Sequence, residues 1–285
     1  MTQSNSVSGN GSGAARGLWS SRLAFILAAT GSAVGLGNIW KFPYVTGENG
    51  GGAFVLVYLL CIAVIGIPIM MAEVFIGRNG RHNPITSMRL VAERNLSAPG
   101  WRISAIIGMI AAFVILSFYS VIGGWAASYV GHAAMGDFTG GTADSIGELF
   151  GGLLASPGQL LLWHTIFMAL VILVVSQGLK GGLERAVTIL MPALFLLLLV
   201  GVGYATTTGH FGEAVSFLFM PDFGALTING VLIALGHAFF TLSLGMAIMM
   251  AYGSYLGRDV SIGRTAVSVA IMDTVVALLA GEAIF

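Results

Sequence analysis

The chain has 285 residues, 56% of them hydrophobic and 8% charged, with 12 basic and 12 acidic side chains and a formal net charge of zero. At a mean hydropathy of +0.92, so few charges cannot cover a water-facing surface of this size, and lipid must face most of it. There is no basic excess to attract nucleic acid, and the single Cys61, set in an apolar run, builds no disulfide framework within the chain.

Residues 1–17 are rich in Ser, Asn and Gly and read as a disordered cytoplasmic tail, leaving 18–285 as one transmembrane unit. Arg16 and Arg22 flank an apolar run in the manner of a signal peptide. The polar tail is long, however, and the run continues past any small-residue cleavage site, which argues against removal. Seven apolar segments follow, at about 20–46, 50–77, 101–132, 159–177, 187–208, 227–256 and 265–285, each near the roughly 20 residues that cross a bilayer. Their boundaries carry an uncertainty of about 2–4 residues. The 41 glycines exceed what plain membrane anchors use and point to close helix packing and broken helices.

Basic residues set the orientation. With a cytoplasmic N-terminus the inner side receives Arg16, Arg22, Arg78, Arg81, Arg89, Arg94, Arg102, Lys180, Arg185, Arg258 and Arg264, eleven of the 12 basic residues. The opposite loops carry Asp137, Asp144, Glu148, Glu213 and Asp222, and Lys41 stands near the outer end of the first segment.

The first segment contains Gly31, Gly35 and Gly37 followed by Asn38 in the middle of a span. Each glycine weakens a helix by about 1 kcal/mol relative to Ala. One reading is a packing face for a neighbouring helix. The other is a break, and the sixth segment favours it, because Thr241-Leu-Ser-Leu-Gly245 puts two hydroxyls and a glycine at the same depth. Two such breaks free backbone carbonyls for a cation and half-helix N-termini for an anionic group; that arrangement is a known one in secondary transporters.

These residues fall in longer motifs: Trp19-Ser-Ser-Arg22, Gly31 through Pro43, Glu48 through Phe54, Gly66-Ile-Pro68, Glu73, and Phe239 through Gly245. Together they resemble the neurotransmitter:sodium symporter family, with its leucine-transporter-type fold. The resemblance implies an all-α polytopic membrane protein of two inverted five-helix repeats. Of these the chain supplies the first repeat and the opening of the second, with helices 1 and 6 interrupted. It implies a symporter in the plasma (bacterial inner) membrane that moves an amino acid inward with sodium, by alternating access around a mid-membrane site. The family pattern continues beyond the position of Phe285, so the sequence reads as a fragment that does not transport alone.

For a first sodium site the resemblance implies the Ala33 carbonyl, Asn38, Thr241 and Asp273, an oxygen set that suits a hard cation. The alternative for Asp273 is a hydrated structural carboxylate near a helix end. Carbonyls of Gly31 and Val34 match part of a second sodium site. A substrate carboxylate would meet the Leu36 and Gly37 amides, the Tyr119 hydroxyl and the first sodium. The amino group would meet carbonyls of Ala33, Phe240 and Thr241, with Ser243 nearby, and Phe240 and Met246 would line the side-chain pocket. Gly35 stands where monoamine carriers of the family bear Asp, so an amino acid is favoured over a monoamine. Positions equivalent to the family's anion site are Tyr58, His237, Thr241, Asp273 and Ala277. Asp273 is expected to supply the negative charge, so that chloride is not required. His237 reads as a core histidine satisfied by one hydrogen bond, or, if it protonates, as a group that couples transport to pH. Arg16 and Lys41 match gate positions. Gly182 and Pro192 mark either a helix-5 hinge or a plain kink. Glu282 does not fit the pattern.

An intramembrane enzyme would need a nucleophile with a base, or a metal cluster. Cys61 has no nearby His, and the five histidines lack a ligand spacing such as H-E-x-x-H. A sodium- and amino-acid-binding receptor, or an inactive remnant, stays as an alternative.

Overall fold

The computed structural model describes residues 19–207 and 209–285; Arg16 and the tail expected over 1–17 lie outside them. The described residues form helices and no strand, apart from an isolated bridge between Gly51 and Pro221. In chain order the helices are α1 Arg22–Ala33 and α2 Gly37–Glu48, α3 Gly52–Gly80, α4 Pro84–Arg94 and α5 Pro99–Met135. After these come α6 Ala143–Leu154, α7 Pro157–Ser176, α8 Leu179–Ala205, α9 Phe211–Phe219, α10 Ile228–Thr241, α11 Ile248–Gly253 and α12 Ile262–Ile284.

Five of these, α3, α5, α7, α8 and α12, are long and apolar enough to cross a membrane unbroken. A sixth span is the pair α1 and α2, bent by 47° at a short break. The sixth apolar segment, expected over 227–256, divides into α10 and α11, neither of which reaches spanning length alone.

Helix starts follow the local chemistry. Ser21 accepts from the Ala24 N–H, Thr227 from Gly230 and Ser261 from Arg264, each satisfying a donor that the first turn leaves open. At α4, Asn83 caps and Pro84 supplies the preset φ of a first helical position. In α3 a π-helical turn over Ile62–Gly66 precedes Pro68, whose missing N–H loosens the ladder there.

The core gathers around the broken elements. Phe25, Phe42, Phe54, Tyr58, Met70, Leu242 and Met249 are buried together, drawn from α1, α2, α3, α10–α11 and their junctions. By contrast the apolar window of α7 buries nothing inside the chain, and those of α5 and α8 bury little, which leaves these faces for lipid or further protein. Small residues let α3 and α11 meet backbone to backbone. A Cβ at Gly77 would lie 2.0 Å from the Met250 carbonyl oxygen, and one at Gly253 would lie 2.6 Å from that of Val74. Because the obstructing atoms are backbone, the helices themselves would have to move apart.

Gly77→Ala is therefore expected to destabilise the protein by about 1–3 kcal/mol, read as a lower melting temperature in detergent. An unchanged melting temperature would show that α3 and α11 do not pack this closely.

Candidate functional site

The break between α1 and α2 is organised by one side chain. Val34 turns extended, with φ −74° and ψ 120°. Asn38 Oδ1 then accepts the Gly35 N–H at 3.1 Å, and the Asn38 N–H returns to the Gly35 carbonyl at 3.1 Å. The flanking glycines serve packing as well. Space for a Cβ at Gly31 ends 3.3 Å from Val187 and Met191, and at Gly37 3.2 Å from the Phe240 ring. Both readings of the glycine run thus hold, at different residues. Gly35 faces the Tyr119 hydroxyl, 3.6 Å from where a Cβ would be.

Asn38 also reaches across to α12. Its Nδ2 donates to Asp273 Oδ1 at 2.8 Å and to the Asp273 carbonyl at 3.0 Å. The Thr241 hydroxyl donates to the same carboxylate at 3.0 and 3.1 Å, and the Tyr58 hydroxyl reaches Oδ2 at 3.4 Å. Asn38, Tyr58, Thr241 and Asp273 are essentially inaccessible to solvent. Asp273 is 0% exposed, so the hydrated, helix-end carboxylate entertained from sequence is not what stands there: its neighbours are protein on every side. Ala33, the last residue of α1, is buried beside this cluster and has no following turn to take its carbonyl. An unpaired carboxylate in such surroundings calls for a compensating positive charge.

The second break, over 242–247, is more strained. Ser243, Gly245 and Ala247 all have positive φ, at 55°, 75° and 60°. For Ser and Ala that conformation costs about 1–2 kcal/mol each, and surrounding contacts must hold it. Ser243 Oγ donates to the Ser32 carbonyl at 2.9 Å, which ties the two breaks together. The Gly245 N–H donates to Glu73 Oε1 at 2.7 Å. Opposite, α5 comes so close that a Cβ at Gly108 would lie 2.6 Å from the Gly245 carbonyl oxygen.

Between the breaks lies a cavity of about 190 Å³. Ala33, Gly37, Tyr119, Phe240, Thr241, Ser243 and Met246, all anticipated for substrate, line it. Leu36 instead lines a second cavity of about 310 Å³, together with Lys41 and His237. Tyr119 and Phe240 belong to both, their rings edge-on at 6.0 Å, so they form the partition.

The remaining expected positions vary. Tyr58 and His237 stack at 5.3 Å, beside Asp273 and the small, buried Ala277. His237 is buried, and its Nε2 has no hydrogen-bond partner where the rings of Phe42 and Tyr58 pack tilted against it. Lys41 lies over the Tyr44 ring at 5.2 Å. Gly182 sits in a π-helical turn over Leu179–Glu184, where a Cβ would lie 2.0 Å from the Val174 carbonyl oxygen, and Pro192 is inside α8. Both are wound in this structure. Val34 and Gly31 face α8 through Met191. Glu282 is half-buried near the end of α12, and nothing in the structure explains it.

Sequence reasoning missed the role of Glu73, and it missed Ser32, Ala112, Ile115 and Leu116 in the cavity wall. The α5 residues were recoverable, since 112, 115 and 116 are one and two helical turns before Tyr119. Glu73 was not, because its partner is 172 positions away.

Glu73→Leu leaves the Gly245 N–H without an acceptor and is expected to cost about 1–3 kcal/mol of stability. Glu73→Gln keeps a carbonyl oxygen and should retain most of it. Equal melting temperatures for the two variants would show that the Gly245 contact is dispensable.

Comparison with known proteins agrees with this architecture. The sodium:neurotransmitter symporter family matches residues 16–140 and 148–285. An uncharacterized sodium-dependent transporter of Bacillus subtilis, YhdH, is 44% identical over 267 residues, covering 94% of this chain and 58% of that protein. One from Methanocaldococcus jannaschii is 36% identical over 94% of this chain and 55% of its own length. The sodium-dependent neutral amino acid transporter B(0)AT2 of Bos taurus is 26% identical over 95% and 40%. Among solved structures, MhsT in complex with L-phenylalanine superposes with a TM-score of 0.87 at 47% identity, covering 95% of this chain and 61% of that one. The chain thus spans roughly three-fifths of the length of its bacterial relative and of MhsT. On the family match and the shared fold, the chain belongs to the sodium:neurotransmitter symporter family.

Proposed function

We propose that the protein carries an amino acid across the membrane together with sodium, around the cavity between the two breaks. The observation that carries this is the fully buried Asp273 carboxylate, which meets Asn38 and Thr241 but has no positive partner among the described residues. A sodium ion there would take oxygens from Ala33, Asn38, Thr241 and Asp273 and would lift the cost of the buried charge. The carbonyls of Gly31 and Val34 would contribute to a second sodium.

The substrate reading follows from the same groups. In this reading the Leu36 and Gly37 amides at the positive end of α2 would receive the substrate carboxylate, a placement supported by the Tyr119 hydroxyl, which lies at the Gly37 amide and lines the same cavity as Gly37. Carbonyls at the end of α1 and around Phe240 and Thr241, with Ser243, suit the ammonium group. Phe240 and the flexible Met246 would shape the side-chain pocket. MhsT, a fold neighbour, is described with L-phenylalanine, which supports an amino acid of that kind as first candidate. We place residues 1–17 and the start of α1 on the cytoplasmic side, a reading supported by the distribution of Arg and Lys. Arg16 and Lys41 serve as gate residues in it, and the Gly182–Pro192 stretch as the part of α8 able to unwind. Alternating access of the broken elements would move the site between the two sides.

Sodium-dependent binding of radiolabelled L-phenylalanine is the direct test, and sodium uptake driven by that substrate in vesicles separates transport from binding alone. Asp273→Ala is expected to abolish both. Gly35→Asp places a carboxylate where the substrate's own would lie and should weaken binding by at least about tenfold, or ~1.4 kcal/mol. Sodium-independent binding would sink the reading, and unimpaired binding by Gly35→Asp would sink the carboxylate placement.

Asp273 is also proposed to supply the negative charge at the positions of Tyr58, His237, Thr241 and Ala277, so that chloride is not required. Uptake should then be unchanged when gluconate replaces chloride; a fall would contradict it.

A further inference from the structure

Three arginines converge on one loop at the membrane face where α3 ends and α12 begins. Arg78, in the last turn of α3, donates from Nη1 to the Val260 carbonyl at 2.7 Å. Arg81, the residue after α3, donates from Nη1 to the Ser254 carbonyl at 3.4 Å. Arg258 lies between those two carbonyls in the chain, in the loop joining α11 to α12, and is exposed. It makes no ion pair among the described residues, whose ion pairs are Arg89–Glu93, His132–Asp137 and His210–Glu213. The adjacent Asp259 takes part in none of those ion pairs, and its Oδ1 folds back to within 2.6 Å of where a Gly257 Cβ would be.

Three like charges held this way repel one another. Burial, followed by the charges of Arg258 and Arg78, pushes the Arg81 guanidinium below its ordinary range. Arg81 also occupies a left-handed backbone position, φ 57°, that a non-glycine residue seldom adopts. The repulsion is maintained by the two carbonyl contacts, which hold Arg78 and Arg81 against the loop. An anion would reverse its sign. Guanidinium groups offer planar forks that fit phosphate oxygens two at a time, and two of the three are already fixed, so little order remains to be imposed on binding.

We propose that Arg78, Arg81 and Arg258 form a binding site for a phosphate group, with Arg258 as the arm that closes on it. Phosphate is available there from two sources: the headgroup of an anionic phospholipid, whose surface potential favours such clusters, or a soluble phosphate. Either would tie the end of α3 to the loop that follows the second broken span.

The test is thermal stability of the purified protein in a neutral detergent, with short-chain phosphatidylglycerol, short-chain phosphatidylcholine or inorganic phosphate added. A ligand that binds only the folded state raises the melting temperature. Phosphatidylglycerol is expected to raise it by several degrees and phosphatidylcholine not to. Arg258→Gln, at an exposed position, should fold normally and lose at least half of that rise. Arg258→Lys should fall between, since the ammonium keeps charge without the fork. Arg102→Gln, also exposed and at the start of α5 on the same face, should keep the full rise. An Arg258-dependent rise with inorganic phosphate alone would support the site and assign it to a soluble ligand. No rise with any phosphate, an equal rise in Arg258→Gln, or an equal loss in Arg102→Gln would overturn it.

Discussion

The carboxylate of Asp273 is the constraint around which the other elements are placed. A charge this deep, with protein on every side, is tolerable only if polar groups from several directions meet it. They come from α2 through Asn38, from α3 through Tyr58 and from α10 through Thr241, while α12 supplies the carboxylate itself. Asn38 does two things at once, since its oxygen caps the Gly35 amide and its nitrogen faces Asp273. The geometry of the first break and the electrostatics of the buried charge are therefore the same problem. Three donors leave the net charge in place, and this is the physical root of the proposed coupling to a cation.

The second break depends on the first. Its left-handed Ser243 and Ala247 are costly local conformations, so something outside the break must hold them. Ser243 is held by the Ser32 carbonyl, Gly245 by Glu73 on one side and the close approach of Gly108 on the other. A cavity opens between two irregular backbones that the Ser243–Ser32 hydrogen bond ties together. Non-helical backbone at this depth is admissible because it is buried in protein and lines a cavity, where its polar groups find partners.

Around this centre the molecule divides by chemistry. The broken elements with α3 and α12 pack into a core, whereas α5, α7 and α8 present long apolar faces outward. Tyr119 belongs to the outer set yet faces inward, so α5 contributes a wall to both cavities. Cationic side chains collect at one end, where the helix ends and their carbonyls give them partners.

Much of this was legible in the sequence, for a definite reason. Hydropathy is a local property, and a span needs about 20 apolar residues wherever it packs, so the segments and the two interruptions followed from composition and glycine position. The long motifs contained Asn38 and Thr241, the family resemblance they carried added Asp273, and the structure does bring the three together. What the sequence could not decide were matters of three-dimensional surroundings. His237 lacks a partner at Nε2 where aromatic rings from two other helices pack against it. Gly31 and Gly37 pack while Gly35 faces a hydroxyl, a division that depends on which helix comes to rest on each. Glu73 meets Gly245 across 172 residues, and Asn38 meets Asp273 across 235. The sequence by itself determined that the chain lives in lipid, where it breaks and which residue types supply oxygen at the breaks. Only the packed structure decided which of those polar groups satisfy one another, because hydrogen bonds between distant segments form only after the helices that carry them have docked.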